Sequence, residues 1–550
     1  MKTTMTRRSF AGLMVVAAGT ALAGCASSGS ESSAETEMAS EAQSADLIVI
    51  GGGCGGLAGA AKAAQGGASV IVLEGSGALG GTTAICGGHY KFMDDDLLAL
   101  LPERTAESDE LLKPYLEMTD ADVPEDYVEC LEMLQQQISE YLESDETREF
   151  DSLEYWIILH YLGTTGDQLD PNHEVVAPAY DLIYPAYANQ AAIKDWLVEG
   201  GFEYEAFGNN QDAGGPFSVN PTGPVAQGGA FISVLSTYAE DAGAQIVKKA
   251  KVNALVEDGG RIVGVMTEDG TTYMANQAVL LASGGFGSNA PKVSEEDVRW
   301  EFGPEGLGSC EPECNDGTAL EAAVSIGAAT SNMGFNQYQT FSANGLATIE
   351  TTIPMCMMAS KMAVNKEGVR FRDDSMRFGT QSSSISLGQT DNMYYMIGDA
   401  SGLEAMGDLK DRYEKSGDLF VADTIEEAAN AAGLDGTVVA AEVEKFNSYV
   451  EAGEDPDFGR HFSERDSKIE GAPYTIMAMR EYVQHTMGGV MIDATGHVLD
   501  EGGNPIEGLF AAGEAVGNLD GAQRRHGDNF AHILYYGCLA GETVAAAVNA

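Results

Sequence analysis

One stretch of this chain constrains its fold more than any other. Residues 46–50, Asp-Leu-Ile-Val-Ile, form a short continuous apolar run that reads as a buried parallel strand. Gly51-Gly52-Gly53-Cys54-Gly55-Gly56 follows, then an alanine-rich segment from Leu57 to Gly66 at helical spacing, then Ser69-Val70-Ile71-Val72-Leu73, which ends at Glu74. Glycines 51, 53 and 56 satisfy G-x-G-x-x-G: one makes the turn, one lets the backbone approach a pyrophosphate, and one lets helix pack on strand. The helix that opens there aims its N-terminal amides and positive dipole end at the phosphates. Glu74 is placed to accept hydrogen bonds from a ribose diol. In a chain with 67 glycines the triplet alone is weak, but strand, fingerprint, helix, strand and terminal acid in this order define a dinucleotide-binding unit.

The other bounds come from charge, length and cysteine. With 30 basic and 84 acidic residues the net charge is −54, which excludes a nucleic-acid partner because phosphate contacts need clustered Lys and Arg. At about 150 residues per domain the length allows two to four domains, and 44% apolar content marks a globular chain. Apart from Cys25, the cysteines are Cys54, Cys86, Cys130, Cys310, Cys314, Cys356 and Cys538; their spacing supports neither a disulfide scaffold nor an iron–sulfur or other metal site. Cys-x-x-Cys-His, the attachment motif of c-type haem, does not occur.

The N-terminal 25 residues read as a targeting segment. Thr6-Arg7-Arg8-Ser9-Phe10 precedes the apolar run from Leu13 to Leu22, the pattern of a twin-arginine export signal. That run is too short to span a bilayer as a helix. Leu22-Ala23-Gly24-Cys25 resembles a bacterial lipobox, which implies lipidation of Cys25 after cleavage. Residues 26–45, rich in Ser, Ala and Glu, read as a flexible tether. The expected location is the outer face of the bacterial cytoplasmic membrane, or the periplasm.

Beyond Glu74, four segments occur in an order that resembles flavoproteins of the fumarate reductase and succinate dehydrogenase family. They are Leu79-Gly80-Gly81-Thr82-Thr83-Ala84-Ile85-Cys86-Gly87-Gly88, Asp195-Trp196-Leu197 with Gly201-Phe202, Gln277 to Gly287, and Gly508-Leu509-Phe510-Ala511-Ala512-Gly513-Glu514. The resemblance implies an α/β fold, a Rossmann-type FAD-binding domain (46–335 and 487–550) with an inserted α+β capping domain (336–486). It assigns FAD contacts to Gly51, Gly53, Gly56, Glu74, Gly81, Thr82, Thr83, Gly87, Gly88, Val252, Ser283, Gly284, Gly513 and Glu514. Covalently flavinylated members carry a histidine where this chain has Gly81, so non-covalent FAD is expected.

The likeness fails over roughly 89–190. Between Asp94 and Asp151 lie 20 acidic residues against Arg104, Lys113 and Arg148, a net of −17. Val128, Leu131, Leu134, Ile138 and Leu142 recur at helical spacing, so an amphipathic helical insertion is expected, its acidic face either solvated or a dock for a basic electron donor.

Gln484-His485-Thr486-Met487-Gly488-Gly489 matches the family's substrate-holding histidine motif, and Gly521-Ala522-Gln523-Arg524 the position of its substrate-clamping arginine. An imidazole and a guanidinium together polarise a carbonyl or carboxylate conjugated to an alkene. The family's proton-donating arginine falls on Phe378, beside Arg377, in the loop after Val364 to Phe371, where Arg370 reads as structural. Its proton path falls on Ile353 to Met357, which cannot relay protons, and its second substrate histidine near Gln339. Arg377 and Tyr338 are therefore the candidate donors, Tyr338 by likeness to the steroid-dehydrogenase branch. The resemblance implies a reductase of an activated carbon–carbon double bond; the departures from it, which remove charge from the pocket, point to a larger, less charged enone or acrylate-type acceptor than fumarate. Its electrons would come from an external donor such as a cytochrome or quinol dehydrogenase. The same chemistry run backwards, as a 3-ketosteroid-type dehydrogenase, and a catalytically silent flavin-binding electron-transfer lipoprotein are the alternatives.

Overall fold

The computed structural model describes residues 43–165, 176–208, 217–300, 302, 307–344, 361–374, 386–407, 409–460, 462, 467–525 and 527–550. The export signal with Cys25, Cys356, the Ile353 to Met357 segment, Arg377 and Phe378 lie outside these residues. Among the described residues no helix is long and apolar enough to cross a membrane.

Strand β1 (Gln43–Ile50), helix α1 (Cys54–Gln65) and strand β2 (Val70–Glu74) form the unit that the fingerprint predicts. β1 is the parallel centre of an eight-stranded sheet, with Ile48 opposite Ile71 of β2 on one side and Val279 of the strand Thr272–Leu281 on the other. Leu47, Ile48 and Val49 are fully buried, as a strand covered on both faces requires. The strand Pro505–Ala511 adds beside Thr272–Leu281, with Phe510 opposite Leu280. The helix Asn529–Val548 then lies along α1, so close that a Cβ on Gly537 or Gly541 would stand 2.3 Å from the carbonyl oxygen of Gly55 or Gly59.

A second, six-stranded sheet is organised by the long strand Tyr474–Thr486, which pairs antiparallel with Asn336–Ser342, Met393–Gly398 and Leu419–Ala422. Its C-terminal end carries His485 and Thr486 back to the first sheet. Arg370, beside it, is buried in an ion-pair knot with Asp374 (2.6 Å) and Asp455 (2.8 Å).

The unaligned region is helical. Its helix Val128–Glu143 buries Cys130, Leu131, Leu134, Ile138 and Tyr141 and exposes Glu129, Glu132 and Glu140, so the acidic residues face solvent. Each fully buried Leu or Ile there contributes about 1.5–3 kcal/mol, enough to anchor a helix whose outer face repels itself. Tyr90 and Phe92, at the start of this region, belong instead to the core of the nucleotide domain, where Tyr90 packs edge-on against Phe231.

Candidate active site

A cleft opens at the C-terminal ends of the parallel strands, where open α/β sheets bind ligands. Gly51 turns the chain at its floor with φ +101°, and a Cβ there would lie 2.3 Å from the Ala282 carbonyl oxygen. Gly53 has room on its side-chain side, where an added Cβ would meet nothing nearer than the Gly80 oxygen at 4.0 Å, so a phosphate can approach its backbone. Gly56 does not face the cleft: a Cβ there would lie 2.1 Å from the Gly51 oxygen, so only glycine lets α1 sit on the turn. Glu74 is buried, and its two oxygens accept from Gly52 N (2.9 Å) and Ser76 N (2.6 Å), leaving each a further lone pair for a ribose hydroxyl.

Gly81, Thr82 and Thr83 start a 3₁₀ turn along the cleft, and Val252, Ser283, Gly284, Gly513 and Glu514 complete the wall around it. Gly87 and Gly88 do not line it. Gly88, at φ +75°, packs on the Gln227–Gly228 backbone, and Gly87 packs on His89. An open glycine cradle, two free carboxylate lone pairs and amides at a helix start fit the diphosphate and ribose of FAD.

At the far end the cleft changes character. His485 and Arg524 both reach it, Arg524 donating through Nε to Gln337 Oε1 at 2.8 Å. His485 Nδ1 stands 3.5 Å from Glu514 Oε1, which also accepts from Thr486 N (2.9 Å) and Thr486 Oγ1 (3.1 Å). Burial pushes the His485 imidazole towards its neutral form, against the pull of Glu514. Behind Glu514 lies a second buried acid, Glu311. Burial and then the neighbouring Glu514 charge push its carboxyl well above the usual carboxylate range. Burial also lifts Glu514, but His485, Glu311 and Thr486 outweigh it and hold Glu514 ionised. Asn315 Nδ2 ties the cluster together, donating to Thr82 Oγ1 (3.0 Å), Glu311 Oε2 (3.4 Å) and Glu514 Oε2 (3.4 Å). Ligand atoms of Glu311, His485 and Glu514 lie within 4.8 Å of one another.

Tyr338 is not brought to the cleft. Along the strand Asn336–Ser342, Gln337 turns towards Arg524. Tyr338 and Asn336 turn the other way, onto Asp297 Oδ2 at 2.6 and 3.3 Å. Burial and the Asp297 charge raise the Tyr338 pKa far above its usual value, the opposite of what a proton donor needs. The alternation of a strand is the physical reason: adjacent residues cannot serve one face.

Glu311, Asn315, Gln337 and His89 escaped the sequence reading. His89, beside Gly87, bonds Asn220 Oδ1 at 2.6 Å and is depressed by burial and by the Arg524 charge, which places it near the arginine. Its adjacency to Gly87-Gly88 was a usable signal. Glu311 had none, because only the folded chain sets it behind Glu514.

Residues 46–529 match the FAD binding domain family, and the chain belongs to that family of FAD-binding flavoproteins. Within it, the chain is of the fumarate reductase and succinate dehydrogenase type. It is 28% identical over 514 residues to NADH:acrylate oxidoreductase of Vibrio harveyi, covering 92% of this chain and 50% of that protein. It is 27% identical over 519 residues to urocanate reductase of Eggerthella lenta, with 91% and 74% covered. The chain thus spans about half the length of the Vibrio relative. Among solved structures, an open flavocytochrome c3 fumarate reductase matches with TM-score 0.70 at 23% identity, over 92% of this chain and 79% of that one. A 3-ketosteroid-Δ4-(5α)-dehydrogenase from Rhodococcus jostii RHA1 matches with TM-score 0.61 at 21% identity, over 94% and 99%. These two likenesses establish the shared fold.

Proposed function

We propose that the chain is an FAD-dependent reductase that saturates an activated carbon–carbon double bond, with FAD held non-covalently and electrons drawn from an external donor. The observation that carries this reading is the convergence of His485 and Arg524 on the rim of the nucleotide cleft. Bound FAD supplies hydride chemistry at the distal alkene carbon. Arg524, oriented by Gln337, and His485, oriented by Glu514, bind the conjugated carbonyl or carboxylate and hold the charge that develops on its oxygen. Arg377 remains the proton donor that the resemblance suggests.

Gln339, where the family has a second substrate histidine, leaves one cation fewer for a dianion. Relatives named for acrylate and urocanate support a singly charged or neutral acceptor. Tyr338, the donor candidate drawn from the steroid-dehydrogenase branch, gives its hydroxyl to Asp297 and so lends the reverse, dehydrogenase reading no support. Gly81 supports a non-covalent flavin.

To test this, the purified flavoprotein is reduced anaerobically with a viologen dye and offered enones, acrylates, urocanate and fumarate while flavin absorbance is followed. Rapid reoxidation by one acceptor class is expected; none across the panel would favour the silent electron-transfer reading. We also propose export by the twin-arginine route and anchoring through lipidated Cys25. Mass spectrometry of the membrane fraction checks this, and an unlipidated mature N-terminus would reject it.

A further inference from the structure

The acidic insertion reaches the acceptor end of the cleft through its inner face. The helix Leu153–Thr164 is fixed at its start by a fully buried ion pair between Lys91 and Asp151, with Lys91 Nζ 5.5 Å from the Trp156 ring centroid. Midway, Trp156 Nε1 donates to Asp528 Oδ1 at 2.7 Å. One turn on, the His160 ring nitrogens face Asp528 Oδ2 and the Leu519 carbonyl oxygen, each at 3.3 Å. At the helix end, the Thr164 carbonyl accepts from Gln523 N at 3.2 Å. Two glycines permit the approach: a Cβ on Gly521 would lie 2.4 Å from Thr164 O, and one on Gly163 would lie 2.9 Å from Arg525 Cδ. Gln523 and Arg525 are therefore both pinned to the insertion, while Arg524 between them turns to Gln337 and the cleft. Trp156, His160 and Asp528 are fully buried. Burying polar groups is unfavourable unless they are paired, so a helix needed only for packing would carry apolar residues at these positions.

We infer that the helix Leu153–Thr164 is a positioning element of the acceptor site, in which Trp156, His160 and the Thr164 carbonyl hold Leu519, Gln523 and Asp528 and thereby aim Arg524. The word acceptor rests on the function proposed above; the hold on the loop does not. The insertion is thus neither a solvated ornament nor only a docking face: its outer side is acidic and its inner side sets the arginine.

The experiment uses the full FAD-loaded chain with Trp156→Phe, which keeps the ring and removes the donor, and His160→Phe. Glu132→Gln on the exposed face serves as control. Hydrogen exchange across 519–528 is expected to quicken about tenfold in both variants, with exchange across 46–74 unchanged. The acceptor concentration for half-maximal reoxidation is expected to rise about tenfold in W156F, and W156F is expected to add nothing in an Arg524→Ala background, as for groups acting through one another. Equal losses in both backgrounds would mark a merely structural role and overturn the inference. So would unchanged exchange across 519–528, which decides the matter even if no acceptor reoxidises the parent protein and the proposed function itself fails.

Discussion

The two ends of the cleft are built by different means. The nucleotide end is mostly backbone: Gly51, Gly53, the first amides of α1 and one carboxylate, all within a 32-residue βαβ unit from Gln43 to Glu74. The acceptor end is mostly side chains, with Gln337, His485, Glu514 and Arg524 delivered from separate elements, and Glu311 and His160 behind them. One end depends on space and chain direction, the other on several distant segments arriving together.

If that contrast is right, damage at one end leaves the other intact. The largest effect is expected for Gly51→Val, because φ +101° and a Cβ 2.3 Å from the Ala282 oxygen leave no room; strain of about 1–3 kcal/mol plus the clash should yield colourless protein, read by flavin absorbance after purification. Arg524→Ala and His485→Ala should keep full flavin content and lose acceptor reoxidation by roughly 10²–10³, the usual cost of removing one donor to a developing oxyanion. If either variant also loses flavin, the two ends are not separable.

A smaller effect is expected from the acid pair. Glu311 binds its proton more tightly folded than unfolded, so its contribution to stability is complete below the ordinary value of 4.5 and is lost as pH rises towards its folded value. Glu311→Gln should remove that fall, at most about 1.4 kcal/mol per pH unit, making the Tm of the variant flatter than that of the parent between pH 5 and 8. Glu514, lowered rather than raised, acts in the other window: its contribution is present above the ordinary value and lost on acidification. The smallest effect on chemistry belongs to Tyr338→Phe, which should leave reoxidation unchanged and cost about 1.5–3 kcal/mol of stability, the hydrogen bond to the buried Asp297 carboxylate, in denaturant titrations.

The same contrast explains what could be read in advance. β1, α1 and β2 were legible because strand period, glycine spacing and helix signals are local. His485 and Arg524 were legible because they sit inside resembling motifs. The Val128–Glu143 helix announced itself through Leu131, Leu134 and Ile138. Tyr338 misled because a residue type was matched without its strand face, and a one-residue step on a strand reverses the side chain. Glu311 and His160 were invisible because their partners, Glu514 and Asp528, are distant in the chain and no periodicity connects them.

The close contact of Gly537 and Gly541 with α1 also bears on how the protein is made. The sheet that carries the fingerprint gains the strand Pro505–Ala511, and α1 its covering helix, only after residues 505–548 have been synthesised, more than 400 residues after the fingerprint itself. A nascent chain on the ribosome presents α1 with one flank bare and the cleft without Gly513 and Glu514. Flavin capture must therefore follow translation of this region, and a chain truncated before residue 505 should be unable to hold the cofactor, however intact its fingerprint.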